Sequence, residues 1–189
     1  DPARAYETTN LTIFHAVYET LINTPASDLT AFEPGLATSW EVSEDGLVYT
    51  FKLREGVTFV SGNPLRAEDV RFSWVRLKNI KGSPSFYADA VSTVEAVDDL
   101  TVKVTLSAPT PAFLSIVTVP SLSVLDSEVV KANGGTDAED ADVTDTAGPW
   151  LDQNSAGTGP FTLTGWTPNT QVTMVRNDSY WQGAAALAG

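Results

Sequence analysis

The side chains that could carry out chemistry in this chain are mainly carboxylates. Aspartate and glutamate number 24, against one histidine and no cysteine. A thiol nucleophile, a zinc ribbon and a disulfide framework are therefore excluded. The sequence contains no Gly-x-Ser-x-Gly, no His-Glu-x-x-His and no phosphate-binding loop. A hydrolase built on two carboxylates stays open, and such a pair would have to lie buried in a cleft with raised pKa values.

The densest run of carboxylates lies between Thr136 and Gly148. Within it, Asp140 to Asp145 lacks both the glycine at the sixth position and the distal glutamate of an EF-hand loop. We therefore expect an exposed, solvated acidic loop and no calcium site. His15 stands alone and is expected to be structural or exposed. No catalytic residue, metal site or cofactor is predicted.

The charge balance limits the partners. Eleven basic residues against 24 acidic ones give a net charge of -13. This charge would repel nucleic acid and anionic lipid, so neither is an expected partner. The chain contains no apolar run of about 18 residues, and its first residues, Asp1-Pro2-Ala3, lack the basic and apolar regions that are typical of a signal peptide. An exported protein would have lost its signal peptide on maturation.

Hydrophobic periodicity predicts helices packed on a mixed sheet. Tyr49, Phe51 and Leu53 alternate with polar residues, which is typical of a half-buried strand, and an Asp-Gly turn at 45–46 precedes them. We expect Trp40, Tyr49, Phe51 and Trp74 to be core residues without a ligand. Helices are predicted at 10–21, 68–78, 113–116 and 127–132, and hairpins at 40–54, 91–106 and 161–176.

Four motifs, in one order along the chain, resemble the family 5 extracytoplasmic solute-binding proteins, the peptide, dipeptide and nickel receptors of ABC importers. Thr20 stands where that family usually has glycine, and Arg66 stands where it often has a threonine as helix cap. The motifs are Asp1-Pro2 with Tyr18-Glu19-Thr20-Leu21; the stretch from Pro34 through Trp40 to Val70; Ser83 to Tyr87; and Pro149-Trp150 with Asn154 to Phe161, ending at Arg176 to Trp181.

The resemblance implies a mixed α/β fold of the type II periplasmic-binding-protein kind. It divides the chain into a first segment of lobe I (1–38), a small extra subdomain with a mixed or antiparallel sheet and flanking helices (39–156), and a return into lobe I (157–189). Members of the family are several hundred residues long and have two lobes. We therefore expect an N-terminal fragment in which the second lobe is absent.

The same resemblance implies a function in capture rather than catalysis. The protein is expected to be the substrate-binding component of an ABC importer, taking an oligopeptide or dipeptide from outside the cytoplasm to the membrane permease subunits. Nickel, an oligosaccharide or another small solute is the alternative. We expect a monomer in the periplasm or outside the cell, anchored as a lipoprotein in a Gram-positive source.

The ligand residues that the resemblance implies lie in two loops on the near wall of the cleft. One contributes Tyr6, Glu7 and Thr8, and the other contributes Ser85, Phe86 and Tyr87. The crossing between subdomain and lobe, the hinge, falls on Gly157, Thr158, Gly159 and Pro160. Glycines there would permit backbone turns that other residues resist.

Overall fold

The computed structural model describes residues 1–186 and contains short helices around three antiparallel sheets. Ser83–Ala88 and Pro120–Leu122 form 3-10 helices. The α-helices are α1 (Thr8–Val17), α2 (Ala67–Ile80), α3 (Phe113–Val117), α4 (Ser127–Ala132), α5 (Ala141–Thr144) and α6 (Gly148–Leu151). The strands are β1 (Ile22–Asn23), β2 (Glu33–Pro34), β3 (Ala37–Val42), β4 (Val48–Leu53), β5 (Val91–Asp98), β6 (Thr101–Leu106), β7 (Phe161–Thr167) and β8 (Gln171–Arg176).

The largest sheet has four strands in the order β3-β4-β6-β5, all antiparallel. Its hairpins confirm the predictions at 40–54 and 91–106, and Gly46 has a φ of 69° in the first turn. Tyr49, Phe51 and Trp74 are buried, and Trp40 packs against them half-buried. The Trp74 and Phe51 rings meet edge-on with their centroids 6.3 Å apart, so α2 packs on this sheet, as the order of helices and strand pairs predicts.

A second cluster of buried residues lies around α1 and the hairpin β7–β8. Phe14, Val17 and Tyr18 come from α1 and the residue after it, and Leu163 comes from β7. Phe72 of α2 belongs to this cluster, whereas Trp74 belongs to the cluster under the four-stranded sheet. One amphipathic helix therefore joins both parts of the core.

Helix α1 is shorter than predicted. It ends at Val17, because Tyr18 takes an extended conformation with φ -127° and ψ 158°. The residues that follow pair with another segment, since the Leu36 amide donates to the Thr20 carbonyl and the Ala37 amide to the Leu21 carbonyl. The apolar spacing continues to residue 21, but the helix ends one turn earlier because residues 20 and 21 pair with residues 36 and 37.

The prediction of a solvated acidic loop at 136–148 is correct for Glu139, Asp140 and Asp142, which are exposed, and wrong for the other two carboxylates of the segment. The segment contains α5 and the start of α6, and the Asp145 side chain is fully buried. Cations of α2 and the residue after it attract these carboxylates, a pairing that sequence spacing does not reveal. The ion pairs are Asp137–Arg71 at 2.8 Å, Asp145–Arg76 at 2.8 Å and Asp142–Lys81 at 3.0 Å.

No helix within residues 1–186 has the length and apolar character needed to cross a bilayer.

Candidate functional site

The two loops predicted to contact ligand lie next to each other. The Tyr6 and Phe86 rings, 80 residues apart in sequence, meet edge-on with centroids 5.6 Å apart. The centroid of the Tyr87 ring lies 6.2 Å from that of Tyr6 and 4.1 Å from that of Phe86. We call Tyr6, Phe86 and Tyr87 the aromatic cluster. Tyr6 is 52% exposed and Phe86 47% exposed, so two of the three rings face solvent.

The other predicted ligand residues surround this cluster. Glu7 precedes α1 and makes no capping hydrogen bond, and Thr8 is the first residue of the helix. Both are exposed, and Ser85 is half-buried in the 3-10 helix. Burial, together with the neighbouring Tyr6 hydroxyl, raises the pKa of Tyr87. The aromatic cluster therefore has the exposed side chain of Glu7 next to it in the sequence.

A groove of about 590 Å³ also borders Tyr6. It runs between α1 and the β7–β8 hairpin, with Phe14 and Val17 on one side and Leu163 and Trp166 on the other. The predicted residues Tyr6 and Glu7 line it, together with Ser83. Tyr6 therefore belongs both to the aromatic cluster and to the lining of this groove, which also includes the charged residues Asp1, Arg4 and Asp152.

The segment before Tyr6 is held by a buried ion network that sequence reasoning missed. Arg76 donates to both carboxylate oxygens of Asp1, at 3.0 and 2.8 Å, and to both of Asp145, at 2.8 and 3.0 Å. Arg4 also donates to Asp145 at 3.2 Å. Burial by itself would raise the pKa of Asp145, but the hydrogen bonds and charge of Arg76 hold it below its ordinary value. The one available signal was an arginine between the apolar residues Trp74 and Leu77 of a helix that packs on the core.

The predicted hinge residues pack against the end of α1. A Cβ on Gly157 would lie 2.0 Å from the Val17 carbonyl oxygen, and one on Gly159 would lie 2.6 Å from the Val17 carbonyl carbon. Neither glycine has a positive φ. The expected reason for these glycines, backbone turns that other residues resist, is therefore wrong; the reason is close approach of two backbones.

Glu19 of the first motif is bonded to both ends of the fourth motif. Its carboxylate accepts hydrogen bonds from the Thr158 hydroxyl at 2.7 Å, the Tyr180 hydroxyl at 2.7 Å and the Trp181 indole nitrogen at 2.8 Å. Arg54 lies over the Trp181 ring at 4.4 Å. Burial, with the Glu19 hydrogen bond adding to it, raises the pKa of Tyr180. The motifs thus form one anchor for the segment that returns to α1.

Two buried carboxylates, Asp69 and Asp126, lie close together at the starts of α2 and α4. Burial raises the pKa of Asp69, with the charge of Asp126 adding a smaller effect. Asp69 accepts a hydrogen bond from the Arg66 amide and so caps the start of α2, which the Arg66 side chain cannot do because it has no acceptor. Asp69 also accepts from the amide and the hydroxyl of Ser127. Asp126 accepts from the amide of Val129 and the side chains of Ser61 and Asn63.

Every carboxylate oxygen of this pair is engaged in a structural hydrogen bond. These oxygens are not free to exchange a proton with a substrate, so the pair is best explained as two helix caps. Within residues 1–186, no group of three or more His, Cys, Asp or Glu side chains could hold a metal ion.

The fold is mixed α/β, and it brings two loops that are far apart in sequence together in one exposed aromatic cluster. A family model described as "Bacterial extracellular solute-binding proteins, family 5 Middle" matches residues 31–189. The chain belongs to this family, which consists of solute-binding proteins, and both the predicted family and the predicted fold class are confirmed.

Among its relatives is the probable D,D-dipeptide-binding periplasmic protein DdpA of Escherichia coli, which is 32% identical over 95% of this chain. Similar solved structures include the binding protein MoaA of A. tumefaciens in complex with mannopinic acid (TM-score 0.84, 29% identity, all of this chain and 36% of that one). Another is the ABC transporter-associated periplasmic binding protein DppA of Helicobacter pylori in complex with the peptide STSA (TM-score 0.79, 30% identity, all of this chain and 38% of that one). The chain spans about a third of the length of the curated relatives it matches, 34% in the case of DdpA.

Proposed function

We propose that the protein is the substrate-binding component of an ABC importer and captures an oligopeptide or dipeptide for delivery to the membrane permease. The observation that carries the proposal is the meeting of two distant loops in one exposed aromatic cluster. Exposed apolar surface with polar groups beside it is typical of a ligand site. Binding of this kind needs shape and hydrogen bonds but no covalent chemistry, so the protein is not an enzyme.

In this proposal the ligand contacts Tyr6, Glu7 and Thr8 from one loop and Ser85, Phe86 and Tyr87 from the other. The rings of the cluster supply apolar area, and Glu7 supplies a negative charge for a cationic group on the solute. Relatives named for peptides support the choice of solute. The relative that holds mannopinic acid supports the alternative, in which the same scaffold takes another small solute.

The lobe boundaries belong to the proposal as well. Segments 1–38 and 157–189 would form part of lobe I, and 39–156 the small subdomain, with residues 187–189 outside the described range. Gly157, Thr158, Gly159 and Pro160 would be the crossing between them. The protein would act as a monomer in the periplasm or outside the cell, and as a lipoprotein in a Gram-positive source.

A thermal-shift screen of the whole receptor tests the proposal. A ligand that binds only the folded state stabilises it by mass action, by about 2.7 kcal/mol at a hundredfold excess over Kd. We expect dipeptides or the peptide Ser-Thr-Ser-Ala to raise Tm. A shift with nickel, an oligosaccharide or mannopinic acid, and none with peptides, would replace the peptide assignment by that solute.

Tyr6→Ala in the same screen tests the site. Tyr6 is half exposed and contributes to no buried core cluster, so its removal should leave the Tm of the free protein nearly unchanged. It should weaken binding of the successful ligand about threefold to tenfold, which corresponds to the loss of one aromatic contact. Unchanged binding would place the ligand elsewhere.

A further inference from the structure

The Arg76 guanidinium is an uncommon group for the inside of a helix-sheet core. It is 1% exposed, and its partners Asp1 and Asp145 are buried with it. Asp1 receives a bidentate pair from this side chain, with donor-acceptor distances of 3.0 and 2.8 Å. A planar guanidinium can hold two carboxylates in fixed orientation, whereas a lysine ammonium is a single point of charge.

Asp1 in turn organises the chain up to the aromatic cluster. Its carbonyl accepts the amides of Arg4 and Ala5, and its carboxylate accepts the amide of Ala3 at 3.0 Å. Tyr6 is the next residue after this turn. Arg76 in the middle of α2 therefore fixes the orientation of the turn through Asp1. The orientation of the turn in turn determines the direction of the chain at Tyr6.

The other half of the cluster is tied to the end of the same helix. Lys81 ends α2 in a left-handed conformation with φ 52°, and Gly82 leads into the 3-10 helix that carries Phe86 and Tyr87. A Cβ on Gly82 would lie 2.8 Å from the Ala3 carbonyl oxygen. The two segments thus pass each other in backbone contact that a larger residue would push apart.

From this arrangement we propose that Arg76 is a positioning residue for the ligand wall. It sets the place of Tyr6 relative to Phe86 through the turn at residues 1–5, and it does not touch the ligand. The inference rests on the proposed function, because it takes the aromatic cluster as the ligand wall. Phe86 and Tyr87 keep their own support, since Pro84 and Ala88 of the 3-10 helix are buried.

The experiment compares Arg76→Lys with Arg71→Lys in the whole protein. Arg71 is the matched control: it lies on the same helix and pairs with Asp137 of the same acidic segment, but its partners do not include the turn before Tyr6. The first readout needs no ligand. It is the NMR cross-relaxation between ring protons of Tyr6 and Phe86, which should be weakened in Arg76→Lys and unchanged in Arg71→Lys.

The second readout is the affinity for Ser-Thr-Ser-Ala by calorimetry. Arg76→Lys should weaken binding about threefold to tenfold, as expected for one displaced aromatic contact, and Arg71→Lys less than about twofold. In a Tyr6→Ala background the Arg76→Lys effect should disappear, because both changes act through the same ring. A merely structural role would lower affinity equally in both backgrounds and would overturn the proposal.

Gly82→Ala gives an independent route if Arg76→Lys does not fold. It keeps the charges of the network but moves the turn away from the 3-10 helix, so the same ring contact should weaken. An intact contact between the Tyr6 and Phe86 rings in the folded variants would refute the positioning role. If the unmodified protein does not bind the peptide, the peptide assignment fails, and the ring contact still decides the role of Arg76.

Discussion

The hydrogen bonds that converge on Glu19 lead to a quantitative prediction about stability. Glu19→Ala removes the acceptor for Thr158, Tyr180 and Trp181, whose donor atoms lie 2.7, 2.7 and 2.8 Å from the carboxylate. A hydrogen bond to a charged group contributes about 1.5–3 kcal/mol. Glu19 is half-buried, and water can replace part of the lost acceptor, so we take about 1 kcal/mol for each bond and expect a loss of about 3 kcal/mol in the free energy of unfolding.

Glu19→Gln separates shape from charge. The carbonyl oxygen of glutamine can still accept from Thr158 and Trp181, which share one carboxylate oxygen, and its amide can donate to the Tyr180 hydroxyl. Only the contribution of the negative charge is lost. We therefore expect Glu19→Gln to lower the free energy of unfolding by about 1 kcal/mol.

Urea denaturation followed by tryptophan fluorescence measures both values. Glu33→Gln is the matched control, because Glu33 is an exposed glutamate that lines the same small pocket as Glu19. It should change the free energy of unfolding by less than about 0.5 kcal/mol. If Glu19→Ala costs no more than this control, the carboxylate does not anchor the returning segment and the reasoning is refuted.

Three further changes test the packing and the buried charges. Gly157→Ala would place a Cβ 2.0 Å from a backbone oxygen and should lower the free energy of unfolding, measured in urea, by about 3 kcal/mol. Gly148→Ala is the control: the nearest atom to its Cβ would be 3.5 Å away, and it should lower this free energy by less than about 0.5 kcal/mol. Equal losses would contradict the explanation by close approach. The pKa of Asp145 is lowered in the folded state, so the stabilisation that this carboxylate contributes is present above about pH 4 and is lost as pH falls. In urea denaturation, Asp145→Asn should therefore lose less stability below pH 4 than the unmodified protein does. An equal loss in the two proteins would be evidence against the pairing with Arg76. The pKa of Tyr180 is raised in the folded state, so the stabilisation that its hydroxyl contributes is present below about pH 10 and is lost above it. In urea denaturation, Tyr180→Phe should therefore lose less stability at high pH than the unmodified protein does. An equal loss would show that Tyr180 does not cause it.

Local patterns predicted most of the individual elements. The alternation of Tyr49, Phe51 and Leu53 predicts a strand at any position in a fold, because one face of a sheet must be buried. The hairpins at 91–106 and 161–176 and the helix at 127–132 followed from the same kind of signal and match the structure. Helix α1 lost its last turn to a strand pairing that no local window contains.

Tertiary pairing decided what local patterns could not. The composition of the acidic segment predicts a solvated loop, because a sequence does not show that Arg71, Arg76 and Lys81 lie opposite three of its carboxylates. Glu19 appeared only as one letter of a motif. Its role as the common acceptor for residues about 140 and 160 positions later depends on the return of the chain to α1.

The sequence by itself determined the family, the mixed α/β fold and the identity of the two loops expected to contact ligand. The fold class follows from local periodicity, and the family and the two loops follow from the resemblance of four motifs, which is kept although Thr20 and Arg66 depart from the family pattern. Only the tertiary structure decided that Tyr6 and Phe86 share one surface and that Arg76 holds the turn leading to it. The physical reason is that segments 80 residues apart come into contact only when the hydrophobic core packs between them. Patterns within a short stretch of sequence do not contain this information.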